Sequence, residues 1–190
     1  MQWYLMKTWA GKEEEQVREI CRTVPGDWYH ECFVIYQERI WRKQQRSIVH
    51  RELLFPGCVF LTGEDREKIA YAARVLNRIS PQMGEVFPIM REDAAFLERL
   101  SGEEHMVKLS SVMKDEQGRI CRLSGPLKVC QGEIERMQLK KRYAMVRHRL
   151  WGEEQVIVLG IVLKEDENRV VFLESLQSLE SAKIPAEAMA

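Results

Sequence analysis

The sequence predicts an α+β protein in two parts: an N-terminal antiparallel sheet flanked by helices, followed by a small β-barrel. Three observations predict it. Helical periodicities alternate with strand-like runs as far as Leu100, then cease until beyond Lys164. An apolar run, Leu53 to Leu61, is broken at Phe55-Pro56-Gly57, where proline withholds a ladder donor and glycine allows a bend. Charge is also unevenly spread: Arg119 to Lys164 holds ten basic and four acidic residues, a net +6, within a chain of zero net charge. That asymmetry points to two units with different partners.

The elements follow in order. Gln2 to Thr8 reads as a first strand, with Trp3, Tyr4, Leu5 and Met6 ahead of the Ala10-Gly11 break. In Glu13 to Val24, the residues Val17, Ile20, Cys21 and Val24 recur at helical spacing, Glu13 to Glu15 favour the positive helix start, and Pro25-Gly26 stops the helix. Cys32 to Tyr36 is a strand. Glu38 to His50, with Arg39, Trp41, Arg42, Lys43 and Arg46, suggests a projecting hairpin whose basic arm is either a contact for nucleic acid or polymerase, or a solvated tip. After the Phe55-Pro56-Gly57 break a strand runs to Leu61. A second helix is signalled by Asp65 to Asn77, with Ile69, Ala72, Ala73 and Leu76 on one face. A strand over Met83 to Ile89 and a third helix from Arg91 to Leu100, capped by Gly102, complete the order β-α-β-β-β-α-β-α. The polar run ending in Lys114 to Gly118 reads as a linker. Beyond it come short strands and turn glycines. Ala144, Val146, His148 and Leu150 share an inward face, and Tyr143, Met145, Arg147, Arg149 and Trp151 the outward one. The expected division is residues 1–112 and 119–176, joined by 113–118, with a frayed tail at 177–190.

Composition narrows the function classes. An apolar fraction of 45% and a charged fraction of 31% suit a soluble globular chain. No apolar run reaches membrane-spanning length, and Met1 to Lys7 lacks a secretory core, which predicts a cytoplasmic protein with no membrane partner. Cys21, Cys32, Cys58, Cys121 and Cys130 are an odd set without a close pair, expected as reduced thiols rather than zinc ligands. The histidines at 30, 50, 105 and 148 are scattered, and no phosphate loop, nucleophile elbow or zinc-helix motif is present. The expectation is a non-enzyme with no cofactor and no metal.

Trp3-Tyr4, Leu54-Phe55-Pro56-Gly57-x-Val59-Phe60, the helix after Pro88, and Gly125-Pro126-Leu127 followed by Gly132-Glu133-Ile134 occur in the order and spacing of the NusG family of transcription elongation factors. The chain resembles that family, and more its specialised antitermination paralogues than the general factor. The resemblance implies an N-terminal NusG-type domain that binds the clamp helices of RNA polymerase and a C-terminal SH3-like KOW barrel. The polymerase contact then maps onto Phe55, Pro56, Cys58 and Phe60, with Lys7 on the adjoining strand. Cys58 stands where the family usually has an aromatic residue, and Val129 where the KOW loop usually has glycine.

The basic second part suggests another partner. Arg136, Lys140, Lys141 and Arg142 lie beside the Tyr143, Arg147, Arg149 and Trp151 face. Cations attract phosphates and rings stack on bases, so this surface is expected to bind nascent RNA, with a leader hairpin as the candidate signal. A solvated turn with packed aromatics is the competing reading. Two functions fit these features. One is a monomeric factor on RNA polymerase that promotes antitermination, with RNA and the non-template DNA strand as further partners. The other is an RNA-binding or ribosome-associated KOW protein without a polymerase role.

Overall fold

The computed structural model describes residues 1–43, 46–79 and 86–172. Along the chain these form β1 (Gln2–Lys7), α1 (Glu13–Thr23), β2 (Glu31–Phe33), β3 (Tyr36–Lys43), β4 (Arg46–Leu53), β5 (Cys58–Gly63), α2 (Arg66–Ile79), β6 (Val86–Pro88), α3 (Arg91–Ser101) and β7 (Met106–Val107). There follow β8 (Ser110–Lys114), β9 (Ile120–Leu123), the single turn α4 (Pro126–Val129), β10 (Ile134–Gln138), β11 (Tyr143–Leu150), β12 (Glu153–Leu163) and β13 (Val170–Phe172). The fold class is α+β, as the sequence predicts. The chain groups into two compact units, one of Met1–Tyr36, Leu53–Val107 and Arg149–Gln155, the other of Gln37–Glu52, Lys108–His148 and Val156–Ala190.

The first unit is built on a sheet of order β2-β5-β1-β6. β1 and β5 are antiparallel, with Trp3 opposite Thr62, Leu5 opposite Phe60 and Lys7 opposite Cys58. Side chains alternate along a strand, so this register sorts the residues into two faces. Tyr4, Met6, Val59 and Leu61 pack with Ile20 and Val24 at the end of α1 and with Ile69 and Ala72 of α2. The alternate residues include Trp3 and Phe60, which form an aromatic cluster with Phe33. α2 starts on Asp65, whose carboxylate accepts the N–H groups of Glu67 and Lys68 at 2.9 and 3.1 Å. α3 stops at Gly102, where φ is +65° and the N–H reaches the Glu98 carbonyl at 2.8 Å.

In the second unit, five strands lie in the order β10-β11-β12-β8-β9. Ala144 and Val146 on β11 are fully buried, as are Leu127, Cys130 and Ile161 to within 1%. Leu150 is buried as well and His148 half-buried, so the alternation expected of β11 holds from Tyr143 to Leu150, with His148 less inward than expected, and does not extend to Trp151. The β3–β4 segment Gln37–Glu52 also belongs here instead of forming a free arm. Ile40 and Val49 pack on Val162, with Leu109 and Val170 against them. β13 lies parallel to β4, Val171 opposite Ile48. Buried Glu38 accepts the Leu109 N–H at 3.0 Å, which gives this inward carboxylate a partner.

Several local expectations change. Four strands, not three, separate α1 from α2. The apolar run Cys32 to Tyr36 is cut because β2 pairs with β5, whereas the Ile35 carbonyl takes the Leu54 N–H and the Tyr36 N–H goes to the His105 carbonyl. Lys114 to Gly118 is not an unstructured run: β8 reaches Lys114, and Asp115 closes the hairpin by accepting the Gln117 and Arg119 N–H groups at 3.0 and 2.8 Å. A helical turn, α4, was not expected in the second part, yet Pro126 opens one behind Gly125. The side chains of Leu76, Arg42, Lys43 and Arg46, the expected strand start at 83–85 and the expected tail at 177–190 lie outside the described residues.

Gly160 fixes the approach of β3 to β12. A Cβ there would lie 2.2 Å from the Glu38 carbonyl oxygen and 2.7 Å from Leu109 Cδ2. Backbone cannot yield as a flexible side chain can, so Gly160→Ala is expected to destabilise the protein by about 1–3 kcal/mol or more. A urea unfolding midpoint equal to that of the native chain would contradict this packing.

Candidate partner-binding site

The site is organised by a bend that only a few residue types could make. Between β4 and β5 the chain turns at Gly57, where φ is +77°. Its N–H donates to the Glu13 carboxylate at 2.5 Å, and its carbonyl accepts the Thr8 N–H at 2.9 Å. Glu13 is 1% exposed, so α1 contributes a buried carboxylate to hold the bend from behind. A Cβ on residue 57 would meet the Thr8 carbonyl oxygen at 3.0 Å. Both the left-handed backbone and the close approach therefore call for glycine.

The bend sets Phe55 half-buried and Pro56 exposed, while Cys58 and Phe60 lie at 3% and 0% exposure. Of the five residues expected at the polymerase contact, Lys7, Phe55 and Pro56 thus reach the surface. Cys58 and Phe60 form its floor. Phe55 meets Phe60 edge-on at 6.2 Å between ring centroids, and Phe60 continues into Trp3 and Phe33. Lys7, opposite Cys58 in the ladder, places Nζ 3.3 Å from the thiol sulfur. Burial pushes the Cys58 thiol pKa up, and the Lys7 ammonium offsets only part of that rise.

Trp151 joins this cluster, not a basic face. Its ring lies edge-on to Phe55 at 5.2 Å, the Lys7 ammonium sits 5.1 Å from its centroid, and its backbone N–H donates to Asp93 at 2.8 Å. Trp151 and Gly152 have φ of +56° and +81°, as a two-residue hairpin turn of type I′ requires. Tryptophan is unusual at positive φ, and the contacts with Phe55, Lys7 and Asp93 are what offset that local cost. Within the first unit, the turn Leu150 to Glu153 covers the outer side of Phe55.

The other expected RNA-binding residues divide in a different way. Arg136, Lys140 and Lys141 are exposed and Tyr143 is half-buried. Arg142 is 6% exposed, at φ +59°, and its guanidinium binds the Leu139 carbonyl and Asp166. The expectation that Arg142 lies on a phosphate-facing surface is corrected: a buried paired cation serves the turn it sits in. Arg147 is paired with Glu135 at 2.8 Å, and the Arg149 Nε donates to the Gly152 carbonyl at 3.1 Å. The Tyr143 ring receives the Arg39 guanidinium at 5.8 Å, which brings one residue of the β3–β4 hairpin beside it. His148 bonds Glu133 at 2.7 Å.

Sequence reasoning missed Glu13 and Asp93. Glu13 reads only as a favourable charge at a helix start, and nothing in the sequence links Asp93 with residue 151. The Trp151-Gly152 dipeptide does carry a turn signal, and it was the available clue to the tight hairpin. Among the described residues, no cluster of three or more His, Cys, Asp or Glu side chains could hold a metal, and no helix is long and apolar enough to cross a membrane.

No family model matches this chain, and no curated protein matches it. Solved structures similar to it include two. One is described as "Domain interaction in Thermotoga maritima NusG", at 21% identity and a TM-score of 0.41, covering 84% of this chain and 93% of that one. The other is described as the "MjSpt4:Spt5 complex conformation A", at 10% identity and a TM-score of 0.29, covering 83% of this chain and 92% of that one.

The Glu13 carboxylate is the part of the site most easily tested. Glu13→Ala leaves the Gly57 N–H without its acceptor in a buried setting and is expected to cost about 1–3 kcal/mol. Glu13→Gln, which keeps an acceptor oxygen, should lose less. Equal unfolding midpoints for the two variants would contradict the role given to this bond.

Proposed function

We propose that this chain is a non-enzymatic transcription elongation factor. It binds the clamp helices of RNA polymerase through Phe55 and Pro56, with Lys7 beside them and Cys58 and Phe60 as the floor, and it promotes antitermination. In this reading the polymerase-binding domain lies within residues 1–112 and the KOW domain within 119–176, with Gln37–Glu52 and β8 grouping with the latter and Arg149–Gln155 with the former. The observation that carries the reading is Phe55: a half-buried aromatic ring on a carboxylate-held bend, backed by Phe60 and met edge-on by Trp151 of a two-residue turn. Rigid aromatic anchors over a packed floor are the residues that dominate protein interfaces, and apolar helices are suitable partners for them.

The mechanism needs no bond-making. A factor that binds one clamp conformation better than another shifts the equilibrium by the difference between the two affinities. Closing the clamp on nucleic acid disfavours paused and terminating states. Trp151 competes with the polymerase for the outer side of Phe55. Release of the turn from Phe55, Lys7 and Asp93 is therefore a step before binding.

The KOW domain is read as the contact for nascent RNA, through Arg136, Lys140, Lys141 and Tyr143, with Arg147 and Arg149 as further cations. Arg142 supports the turn that presents the lysines. A leader hairpin is the proposed signal, and the non-template DNA strand a further partner.

Terminator readthrough by purified RNA polymerase tests the polymerase reading, on templates with and without the native leader. Leader-dependent readthrough that Phe55→Ala abolishes is the expected result. Trp151→Ala should bind polymerase more tightly than the native chain, by roughly tenfold if about 1.4 kcal/mol of covering contacts is removed. Unchanged readthrough on every template would favour the ribosome-associated alternative. RNA binding is checked separately by titrating salt: each phosphate neutralised should lower log K by about 0.7 per decade of salt on single strands. Affinity that ignores salt would remove RNA from the reading.

A further inference from the structure

Lys7 and Cys58 form a pair whose chemistry reaches beyond partner binding. They are directly opposed in the β1–β5 ladder, so the register, and not a chance rotamer, brings amine and thiol to one side of the sheet. The separation of Nζ and Sγ is 3.3 Å. Cys58 is buried, whereas Lys7 is exposed and reaches the sulfur from the solvent side. Phe60 and Trp151 contact Phe55 beside the pair, and Trp151 faces the ammonium, which restricts where the lysine head can go. An amine held against a thiol in this way is placed to trap the first oxidation product of that thiol.

We propose that Lys7 and Cys58 are a peroxide-responsive modification site that closes to an intrachain sulfenamide, Cys58 Sγ bonded to Lys7 Nζ. Hydrogen peroxide first oxidises the thiolate: sulfur attacks one peroxide oxygen, the O–O bond breaks, and Cys58 becomes the sulfenic acid with release of hydroxide, which becomes the first water by taking up the proton that Lys7 then loses. The Lys7 ammonium gives up that proton, and its nitrogen lone pair attacks the sulfenyl sulfur. The S–O bond breaks and the hydroxyl leaves as a second water. One thiol, one amine and one peroxide thus give one S–N bond and two waters. Two equivalents of an external thiol reverse the reaction, returning Cys58 and Lys7 and leaving a disulfide of the reductant. The closed form also loses the ammonium that faces Trp151, so the modification alters the cover of Phe55.

The pair is a site of its own whether or not polymerase is the partner of Phe55. Its rate should follow thiolate availability. Burial raises the Cys58 pKa, Lys7 lowers it, and Glu13 raises it further, with the net shift upward. The thiolate fraction, and with it the linking rate, therefore climbs with pH through and beyond the usual thiol range.

The test treats the full chain with hydrogen peroxide, digests it and analyses the peptides by mass spectrometry before and after dithiothreitol. The expected product is a linked pair of peptides containing Lys7 and Cys58, lighter than their sum by two hydrogens and released by dithiothreitol. It should be absent from Cys58→Ser and from Lys7→Arg, the second of which keeps the exposed cation. The exposed thiols of Cys21 and Cys121 serve as oxidation controls in the same digest. Cys58 recovered unlinked while those thiols oxidise, Cys58 stopped at sulfenic or sulfinic acid, or a link that retains oxygen would each overturn the assignment.

Discussion

The first unit depends on one buried hydrogen bond from a glycine. Gly57 can bend because its φ is positive, but a bend alone does not fix direction. The Glu13 carboxylate does so from the start of α1, and the Thr8 N–H closes the other side at the Gly57 carbonyl. The end of β1, the start of α1 close behind it and the distant β4–β5 connection meet at this residue. A charged acceptor buried to 1% exposure would be costly without a donor, and the Gly57 N–H supplies one. Phe55 is positioned as a consequence, two residues before the locked backbone.

The second unit answers a different constraint, the presence of charges inside a small sheet protein. Glu38 is turned inward and takes the Leu109 N–H, with Lys108 Nζ 3.9 Å from its carboxylate. Arg142 is turned inward at a left-handed turn and is held by Asp166 and a carbonyl. Neither charge is free to serve a partner. The net +6 of this region therefore overstates its accessible positive surface, because Arg142 and Arg147 already have carboxylate partners. Arg136, Lys140 and Lys141 are exposed, and so are Arg119, Arg122, Lys128, Arg149 and Lys164, so the accessible cations are spread along the region.

Much of this was legible in the residues. The three helices of the first part follow from their apolar spacing, and the β11 alternation follows from period two. The Phe55-Pro56-Gly57 break was legible as a bend. What was not legible is non-local. A run such as Cys32 to Tyr36 carries no mark of where it changes partners, because pairing with β5 and bonding to His105 are decided by segments far along the chain. The β3–β4 hairpin read as a free arm, since Ile40 and Val49 find Val162 and Val170 only in three dimensions. Trp151 read as one more outward aromatic on a basic face. Its backbone is at positive φ, so it leaves the alternation of β11, and local sequence assigns it no ring to meet.

The placement of Trp151 decides how the candidate site can work. Its contacts are individually modest: an edge-to-face aromatic pair of about 0.5–1.5 kcal/mol, an exposed cation–π contact of about 0.5–1 kcal/mol and one N–H to a carboxylate. Against them stands the strain of a tryptophan at positive φ, of order 1–3 kcal/mol. The net hold on the turn is then small, about 1–3 kcal/mol, which leaves between roughly one molecule in six and one in 160 with Phe55 uncovered. A partner that needs the open form loses affinity by that same factor, no more. Such a cover cannot abolish binding, but it raises the threshold for it, so a second tether, such as an RNA bound elsewhere on the chain, would decide when Phe55 is engaged by raising the local concentration of its partner. The weakness of the turn is what makes the arrangement responsive.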